Sequence, residues 1–453
     1  MLELGIACIV TIVVAYLIVK KQKAQTVLIV GGLILMSCAI LMGHPILDEK
    51  KTTGFVWFDL FKYIENMFSL RAAGMGLMIM AVGGFARYMD HIGASKVLVS
   101  MTIQPLKAMR SPYIVLAMTY IIGQLLNVFI PSASGLGVLL MVTIYPVLIS
   151  LGISKVSATA VIGTVACLDL GPASGNAVLA AKTANLDVAI YFTQYQIPVA
   201  IVTAFTIAVL HFFVQRWFDR REGHQIIAKD MDESLVNKEA IPPKIYAILP
   251  IVPLVLILVF SKICIPTIKM TVVTAMLIST ALAMLFELLR SHDLTKVFKS
   301  IQVFFDGMGK QFAVVVTLIV AGETFAYGLT KIGAIDAIIN AAHHSGFGEV
   351  GMIIVMTGII TVSSIVMGSG NAPFFAFAAL APSVAAKMGI APVLMLMPMQ
   401  LASGIARSVS PITACIVAVC GVSGVSPVEV VKRTAIPMSG GLLVMVIACF
   451  AFN

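Results

Sequence analysis

The chain has 453 residues, 60% of them hydrophobic and only 11% charged, with a formal net charge of +9. Its mean hydropathy is +1.03. Soluble domains carry about 25% charged residues, so the composition excludes an ordinary soluble protein. The basic excess lies between apolar runs, where it orients membrane segments and does not mark a nucleic-acid surface.

A membrane span needs about 20 mostly apolar residues. Residues 2–19 and 25–42 qualify, joined by Lys20, Lys21 and Lys23, a basic turn expected in the cytoplasm with the N-terminus outside. No basic region precedes the first run and no clear small-residue cleavage site follows it, so it is expected to be a span and not a signal peptide. Residues 55–68 read as an amphipathic helix at the interface, and residues 71–88 as a third span with a basic exit at Arg87, Lys96, Lys107 and Arg110. Residues 112–150 are two apolar arms around Pro131-Ser132-Ala133-Ser134-Gly135-Leu136-Gly137. A surface loop would be polar; a re-entrant hairpin accounts for this small, uncharged tip, with two full spans and a tight turn as the alternative. Residues 155–182 are apolar but broken by Asp169-Leu170-Gly171-Pro172-Ala173-Ser174-Gly175-Asn176, and residues 196–215 span back.

Residues 217–244 read as a cytoplasmic linker between a first half, 1–216, and a second half, 245–453. The second half has expected spans at 245–262, 270–289 and 309–328, an amphipathic stretch at 293–306, a second hairpin at 350–388 with the tip Met367-Gly368-Ser369-Gly370-Asn371-Ala372-Pro373-Phe374, a broken helix at 391–420 and a last span at 435–452. The second break is the sharpest feature of the chain. Within Ser403-Gly404-Ile405-Ala406-Arg407-Ser408-Val409-Ser410-Pro411-Ile412-Thr413, a helix-weakening glycine, a charge and a proline sit inside an apolar run. A charge at the centre of a membrane helix costs about 2.5–3.5 kcal/mol on insertion scales. Broken backbone at that depth is tolerated only where it is buried in protein or lines a cavity. The segment is therefore expected to be unwound at a binding site; a kinked helix end with Arg407 snorkelling to a headgroup is the alternative.

The halves match at a nearly constant offset. Phe85-Ala86 and Phe325-Ala326 lie 240 apart, as do Ile92-Gly93-Ala94 and Ile332-Gly333-Ala334; Pro172 and Pro411 lie 239 apart, as do Ile197-Pro198 and Ile436-Pro437. Each half is expected to cross the membrane five times and to carry one re-entrant hairpin, and an odd number of crossings inverts the second half. The expected fold is an all-α polytopic membrane protein built from two inverted-topology repeats, with about ten transmembrane helices, two re-entrant hairpins and two broken helices. Inverted repeats with broken helices point to a secondary transporter with a midplane site.

The four interruptions supply the candidate binding residues: Ser132, Ser134 and Gly135; Ser174, Gly175 and Asn176; Ser369, Gly370 and Asn371; and Ser403, Arg407, Ser408, Ser410 and Thr413. Pro172 and Pro411 suit the first turn of a restarting helix, with Ser410 as N-cap of the second restart and Asn371 as cap of the hairpin helix. Each restart offers free N–H groups and the positive end of a helix dipole. Arg407 adds a fixed charge whose planar fork matches a carboxylate. A small organic anion is the implied substrate. Asp169 could pair with Arg407, carry a proton or ligate a cation; Asn176, Asn371 and Glu323 are further candidates for coupling to a sodium ion or proton. No cofactor, metal site, catalytic constellation or nucleic-acid partner is expected. The pair His343-His344 reads as interfacial and not metal-binding, and the seven cysteines read as small buried apolar residues.

The segments Gly368-Ser369-Gly370-Asn371-Ala372-Pro373-Phe374, Gly171-Pro172-Ala173-Ser174-Gly175, Arg407-Ser408-Val409-Ser410-Pro411 and Val430-Val431-Lys432-Arg433-Thr434, with Met42-Gly43-His44 and the run Ser134 to Leu140, resemble the anaerobic four-carbon dicarboxylate carrier family of the DcuC type, essentially end to end. The resemblance implies a bacterial inner-membrane carrier of succinate, fumarate and malate, active in succinate efflux or exchange. It also implies membership of the ion-transporter superfamily, with homodimers and an elevator motion. By position it places Ser132 to Gly135, Ser174 to Asn176, Ser369 to Asn371 and Arg407 to Thr413 around the substrate. The alternative is an ion-coupled carrier of another small organic anion or an amino-acid-like substrate, which the acid at Asp169 would suit.

Overall fold

In lipid every backbone N–H and C=O must be satisfied within the chain, which leaves helices as the natural solution for long apolar runs. The computed structural model describes residues 2–20, 22–225, 242–334 and 348–452, and among these it contains helices and turns but no strand. In chain order the elements used below are α1 (Leu2–Val19), α2 (Ala24–Leu41), α3 (Val56–Arg71), α4 (Leu77–His91), α5 (Ala94–Thr102), α6 (Pro112–Phe129), α7 (Ala133–Thr143), α8 (Tyr145–Ser150), α9 (Lys155–Thr164), α10 (Gly175–Thr183), α11 (Ile197–Arg221), α12 (Val252–Val259), α13 (Val272–Ser291), α14 (Leu294–Gln311), α15 (Thr317–Lys331), α16 (Glu349–Met367), α17 (Asn371–Phe377), α18 (Ala381–Met388), α19 (Pro392–Arg407), α20 (Ala414–Ser423) and α21 (Pro427–Phe452). Pro112, Pro198, Pro253 and Pro392 each sit in a first turn, where the missing N–H is one the helix leaves unpaired anyway.

Eight helical stretches among the described residues are long and apolar enough to cross a membrane. They include the first arm of each expected hairpin, α6 and α16, at 18 and 19 residues. They do not include the broken helices, whose pieces α9, α10 and α20 are 9 or 10 residues long. The expected span at 245–262 is also not one continuous helix. It forms a 3-10 turn at Lys244–Ile248 and an eight-residue helix, because Pro250 and Pro253 withhold the N–H groups that would join them. The interfacial stretch at 55–68 runs directly into the following span: α3 and α4 join through a π-helical turn, Ala72–Gly76, whose Gly74 leaves helical geometry at φ −91°, ψ −111°. A second π-helical turn, Phe312–Val316, joins α14 to α15. Most of the expected linker, residues 226–241, and the pair His343-His344 lie outside the described residues. Two cysteines depart from expectation, since Cys8 and Cys264 are exposed.

The helices pack in two groups. In the first, α2 lies on α15 and α4 lies on α14 and α13. The first two contacts are backbone-close: a Cβ on Gly32 would stand 2.7 Å from the Thr324 carbonyl, and one on Gly84 would stand 2.7 Å from the Phe304 carbonyl. In the second group, α11 lies along α21, α16 along α19, α7 on α20, and α6 and α9 close the bundle. A buried cluster fastens this second group. Arg433, 2% exposed, pairs with Asp219 and Glu222 and donates to Ser154 and Ser157, while Tyr113 donates to Asp219 at 3.0 Å. Four helix ends, those of α6, α9, α11 and α21, are thereby tied at one point.

Candidate functional site

Both hairpin tips and both helix breaks open onto one cavity of about 570 Å³. The first tip contributes Pro131, Ser132, Ala133 and Ser134; the first break, Asp169, Ala173, Gly175 and Asn176; the second tip, Gly368 to Asn371; the second break, Arg407 and Thr413 to Cys415. The opposite wall comes from the first helix group: Gly83, Arg87 and Asp90 on α4, and Gly307, Lys310 and Gln311 on α14.

The N-termini of α7, α10, α17 and α20 all end at this cavity. Ser132 accepts from the Gly135 N–H at 3.1 Å and Ser174 from the Ala177 N–H at 3.3 Å, so two restarts are capped by serine. The other two restarts differ from expectation. In the second tip Ser369 accepts from the Ala372 N–H at 3.3 Å, which leaves the Asn371 side chain free to accept from Asn176 Nδ2 at 3.0 Å. In the second break helix α20 begins at Ala414, not after Ser410. Ser410 is buried, with no partner for its hydroxyl among the described residues, and Pro411 lies in the turn before the restart. Pro172 likewise precedes its cap, Ser174, by two residues. The unwound stretch is shorter than the sequence suggests. Ser403, Gly404 and Arg407 remain helical, and only 408–413 leave the helix, held by Thr413 Oγ1 donating to the Arg407 carbonyl and Thr434 Oγ1 to the Ser408 carbonyl.

Arg407 is seated on the first break. Its Nη2 donates to the Ala166 carbonyl at 2.8 Å and stands 3.7 Å from Asp169 Oδ2. Asp169 Oδ2 also accepts from Asn176 Nδ2 at 2.7 Å. The Asp169 backbone sits in the left-handed region at φ +55°, with its carbonyl and that of Leu168 accepting from Gln400 Nε2, each at 3.2 Å. Gln400 in turn accepts from Gln196, whose Oε1 takes the Gly171 N–H at 3.1 Å. Two buried glutamines thus pin the unwound backbone from α19 and from the π-helical turn before α11. Two glycines permit the close fit: a Cβ on Gly404 would lie 2.2 Å from the Cys167 carbonyl, and one on Gly370 2.5 Å from the Ser403 carbonyl.

Of the residues singled out in the sequence, Ser132, Ser134, Asp169, Gly175, Asn176, Ser369, Gly370, Asn371, Arg407 and Thr413 line the cavity. Gly135, Ser174, Ser403, Ser408 and Ser410 stand behind it: the Ser174 hydroxyl is taken up as a cap, Ser403 donates to the Gln400 carbonyl and Ser408 to the Gly404 carbonyl. Glu323 is apart from the cavity and pairs with Arg71 at 2.7 Å. The sequence reading missed Arg87, Asp90, Lys310 and Gln311. Arg87 looked like a loop charge, and the available signal was its place three residues before Asp90 on a helix beside Gly83-Gly84.

The chain matches the family described as "C4-dicarboxylate anaerobic carrier" over residues 2–452. It is 36% identical over 449 residues to the "Probable anaerobic C4-dicarboxylate transporter DcuC" of Vibrio cholerae, covering 99% of this chain and 97% of the relative. It is 37% identical over 448 residues to the "Anaerobic C4-dicarboxylate transporter DcuC" of Escherichia coli K12, covering 99% and 96%. Among solved structures, the YdaH transporter of Alcanivorax borkumensis is similar in fold, with a TM-score of 0.64 at 15% identity over 95% of this chain and 98% of that one.

Proposed function

Because the chain belongs to the C4-dicarboxylate anaerobic carrier family, we propose that it is a secondary active transporter of succinate, fumarate and malate across a bacterial inner membrane. One observation carries the reading: four helix N-termini converge with the guanidinium of Arg407 on a single cavity. Helix N-termini and arginine both favour anions, and buried N–H groups supply the hydrogen bonds that water gave the carboxylate outside. The nearby hydroxyls of Ser132, Ser134 and Ser369 add neutral donors that impose no charge of their own.

Transport proceeds by alternating access of the elevator type, in succinate efflux or exchange. The second helix group carries all four interruptions and moves as a unit against the first. Its coherence is supported by the buried Arg433 cluster tying four of its helix ends. Crosslinks that fix the two groups together without slowing transport would overturn this motion. The hairpins are re-entrant and the halves are inverted repeats. Both tips reach the cavity that the mid-helix breaks reach, and the π-helical turns at 72–76 and 312–316 lie at the same offset of 240 (312 − 72) as the sequence matches. Asp169, Asn176 and Asn371, hydrogen-bonded in a chain, are the place for a coupling proton or sodium ion. A homodimer is the expected assembly.

Counterflow tests the reading. Proteoliposomes loaded with unlabelled succinate should accumulate labelled succinate, and Arg407→Ala should abolish the accumulation. Counterflow that survives the substitution removes Arg407 from the site; its absence in the native chain removes the substrate. Asp169 at the cavity favours one second reading, a carrier of amino-bearing anions, which predicts that aspartate competes better than succinate.

A further inference from the structure

The cavity wall opposite Arg407 carries charge that the site as so far described does not use. Among the described residues five charged side chains line the cavity: Arg87, Lys310 and Arg407, against Asp90 and Asp169. Two of the cations have no acid to answer. Asp169 stands 3.7 Å from Arg407, and Asp90 forms no ion pair with Arg87 or Lys310 among the described residues. Arg87 and Lys310 form no ion pair among the described residues, and both are exposed to the cavity. They come from different helices, yet are brought side by side where α4 crosses α14. A Cβ on Gly307 would lie 2.8 Å from the Gly84 Cα and 3.2 Å from the Arg87 Cβ, and Lys310 follows Gly307 by one helical turn. The close crossing is built from glycine, and the two cations project from it into the same space.

We propose that Arg87 and Lys310 form a second carboxylate subsite, which makes this chain select dicarboxylates over monocarboxylates of the same length. The inference rests on the carrier reading above and deepens it. Arg407 and the helix N-termini on one wall grip one carboxylate. A four-carbon dianion then places its second charge toward the opposite wall, where two unanswered positive charges stand. Arg87, the planar fork, suits two-point contact with a carboxylate, while Lys310 acts as a compact charge. Because these residues belong to the first helix group, the second grip exists only while the cavity faces this wall. Movement of the broken-helix group would leave it behind and loosen the substrate for release.

The test compares succinate with succinamate, which keeps the length and replaces one carboxylate by an amide, as inhibitors of labelled-succinate counterflow in proteoliposomes. The native chain should prefer succinate. Arg87→Gln with Lys310→Gln should raise the succinate needed for half-inhibition by about tenfold or more, as expected for the loss of hydrogen bonds to a charged group. It should leave succinamate nearly unchanged, so that the preference collapses. The single variants should each lose part of it, which keeps the test available if the double variant is not inserted, and Arg87→Lys with Lys310→Arg should restore most of it. A double variant that keeps the native preference, or weakens both inhibitors alike, overturns the subsite and leaves the carrier reading standing. A native chain with no succinate counterflow overturns the carrier reading, and this inference with it.

Discussion

Replacing Gly404 by alanine adds one methyl group, and the structure makes that group costly. A Cβ at this position would stand 2.2 Å from the Cys167 carbonyl oxygen and 3.1 Å from its carbon. Carbon–oxygen contacts settle at about 3.3–3.6 Å, so α19 and the first break must part by roughly 1 Å. Arg407 lies one turn further along α19, and its Nη2 reaches the Ala166 carbonyl of the same break at 2.8 Å. Parting by that amount takes the pair beyond hydrogen-bond range. Loss of a bond to a charged group is worth about 1.5–3 kcal/mol, or roughly 10- to 150-fold in affinity at 1.4 kcal/mol per decade. The half-saturating concentration of succinate in counterflow should rise within that range, with a fall in thermal stability of the purified protein. Gly421, in α20 with nothing near its would-be Cβ, is the control; alanine there should leave transport unchanged and add about 0.5–1 kcal/mol of stability. A Gly404→Ala protein with native half-saturation would refute the argument that this contact positions Arg407.

Two further outcomes follow from the same packing. Arg433→Met strands the carboxylate of Asp219, itself 1% exposed, and should destabilise the protein by about 3–5 kcal/mol; thermal unfolding in detergent checks this, and Asp219→Asn added to it should recover part of the loss. Cys415 lines the cavity with its thiol against the Ala133 carbonyl at 3.3 Å. A hydrophilic methanethiosulfonate should therefore block counterflow, bound succinate should slow the block, and Cys415→Ser should remove it, whereas a block that persists in the serine variant would place the reactive thiol elsewhere.

The interruptions were legible because proline, glycine and serine inside an apolar run have few explanations in lipid. Their restarts were legible only to within a few residues. Ser410-Pro411 carries the local signature of a cap and first turn, yet the chain restarts at Ala414, because Thr434 holds the Ser408 carbonyl from a helix 26 residues further on. Asn371 lost the capping role to Ser369 because Asn176, 195 residues away, offers it a partner. The charged wall was invisible for a related reason. Its spacing from Asp90 and Gly83-Gly84 is all that locally sets Arg87 apart from an orienting loop charge, and its meaning arises where Gly84 and Gly307 let two distant helices cross. Glu323 shows the converse: an acid in a span looks like a coupling group until a partner 252 residues away, Arg71, is found beside it.

Under the proposed duplication, the two faces of the first helix group are no longer equivalent, and the difference bears on where the cavity opens. At an offset of 240, Arg71 corresponds to Gln311 and Glu323 to Gly83 (311 − 71, 323 − 83). On one face Arg71 and Glu323 form an ion pair at 2.7 Å, Tyr63 stacks on Tyr327 with ring centroids 4.0 Å apart, and the Tyr327 hydroxyl donates to the Ile46 carbonyl. On the other face the matching contact is an uncharged glutamine lying over a glycine. The positions matching Tyr63 and Tyr327 are Val303 and Arg87 (303 − 63, 327 − 87), so the aromatic stack is replaced by an aliphatic side chain and a cation exposed to the cavity. Divergence at these four pairs of positions leaves one face joined by an ion pair and an aromatic stack and puts an arginine into the cavity on the other. For the proposed dicarboxylate carrier, that asymmetry would leave Arg87 available to the substrate, while the side chains of the paired face are engaged with one another.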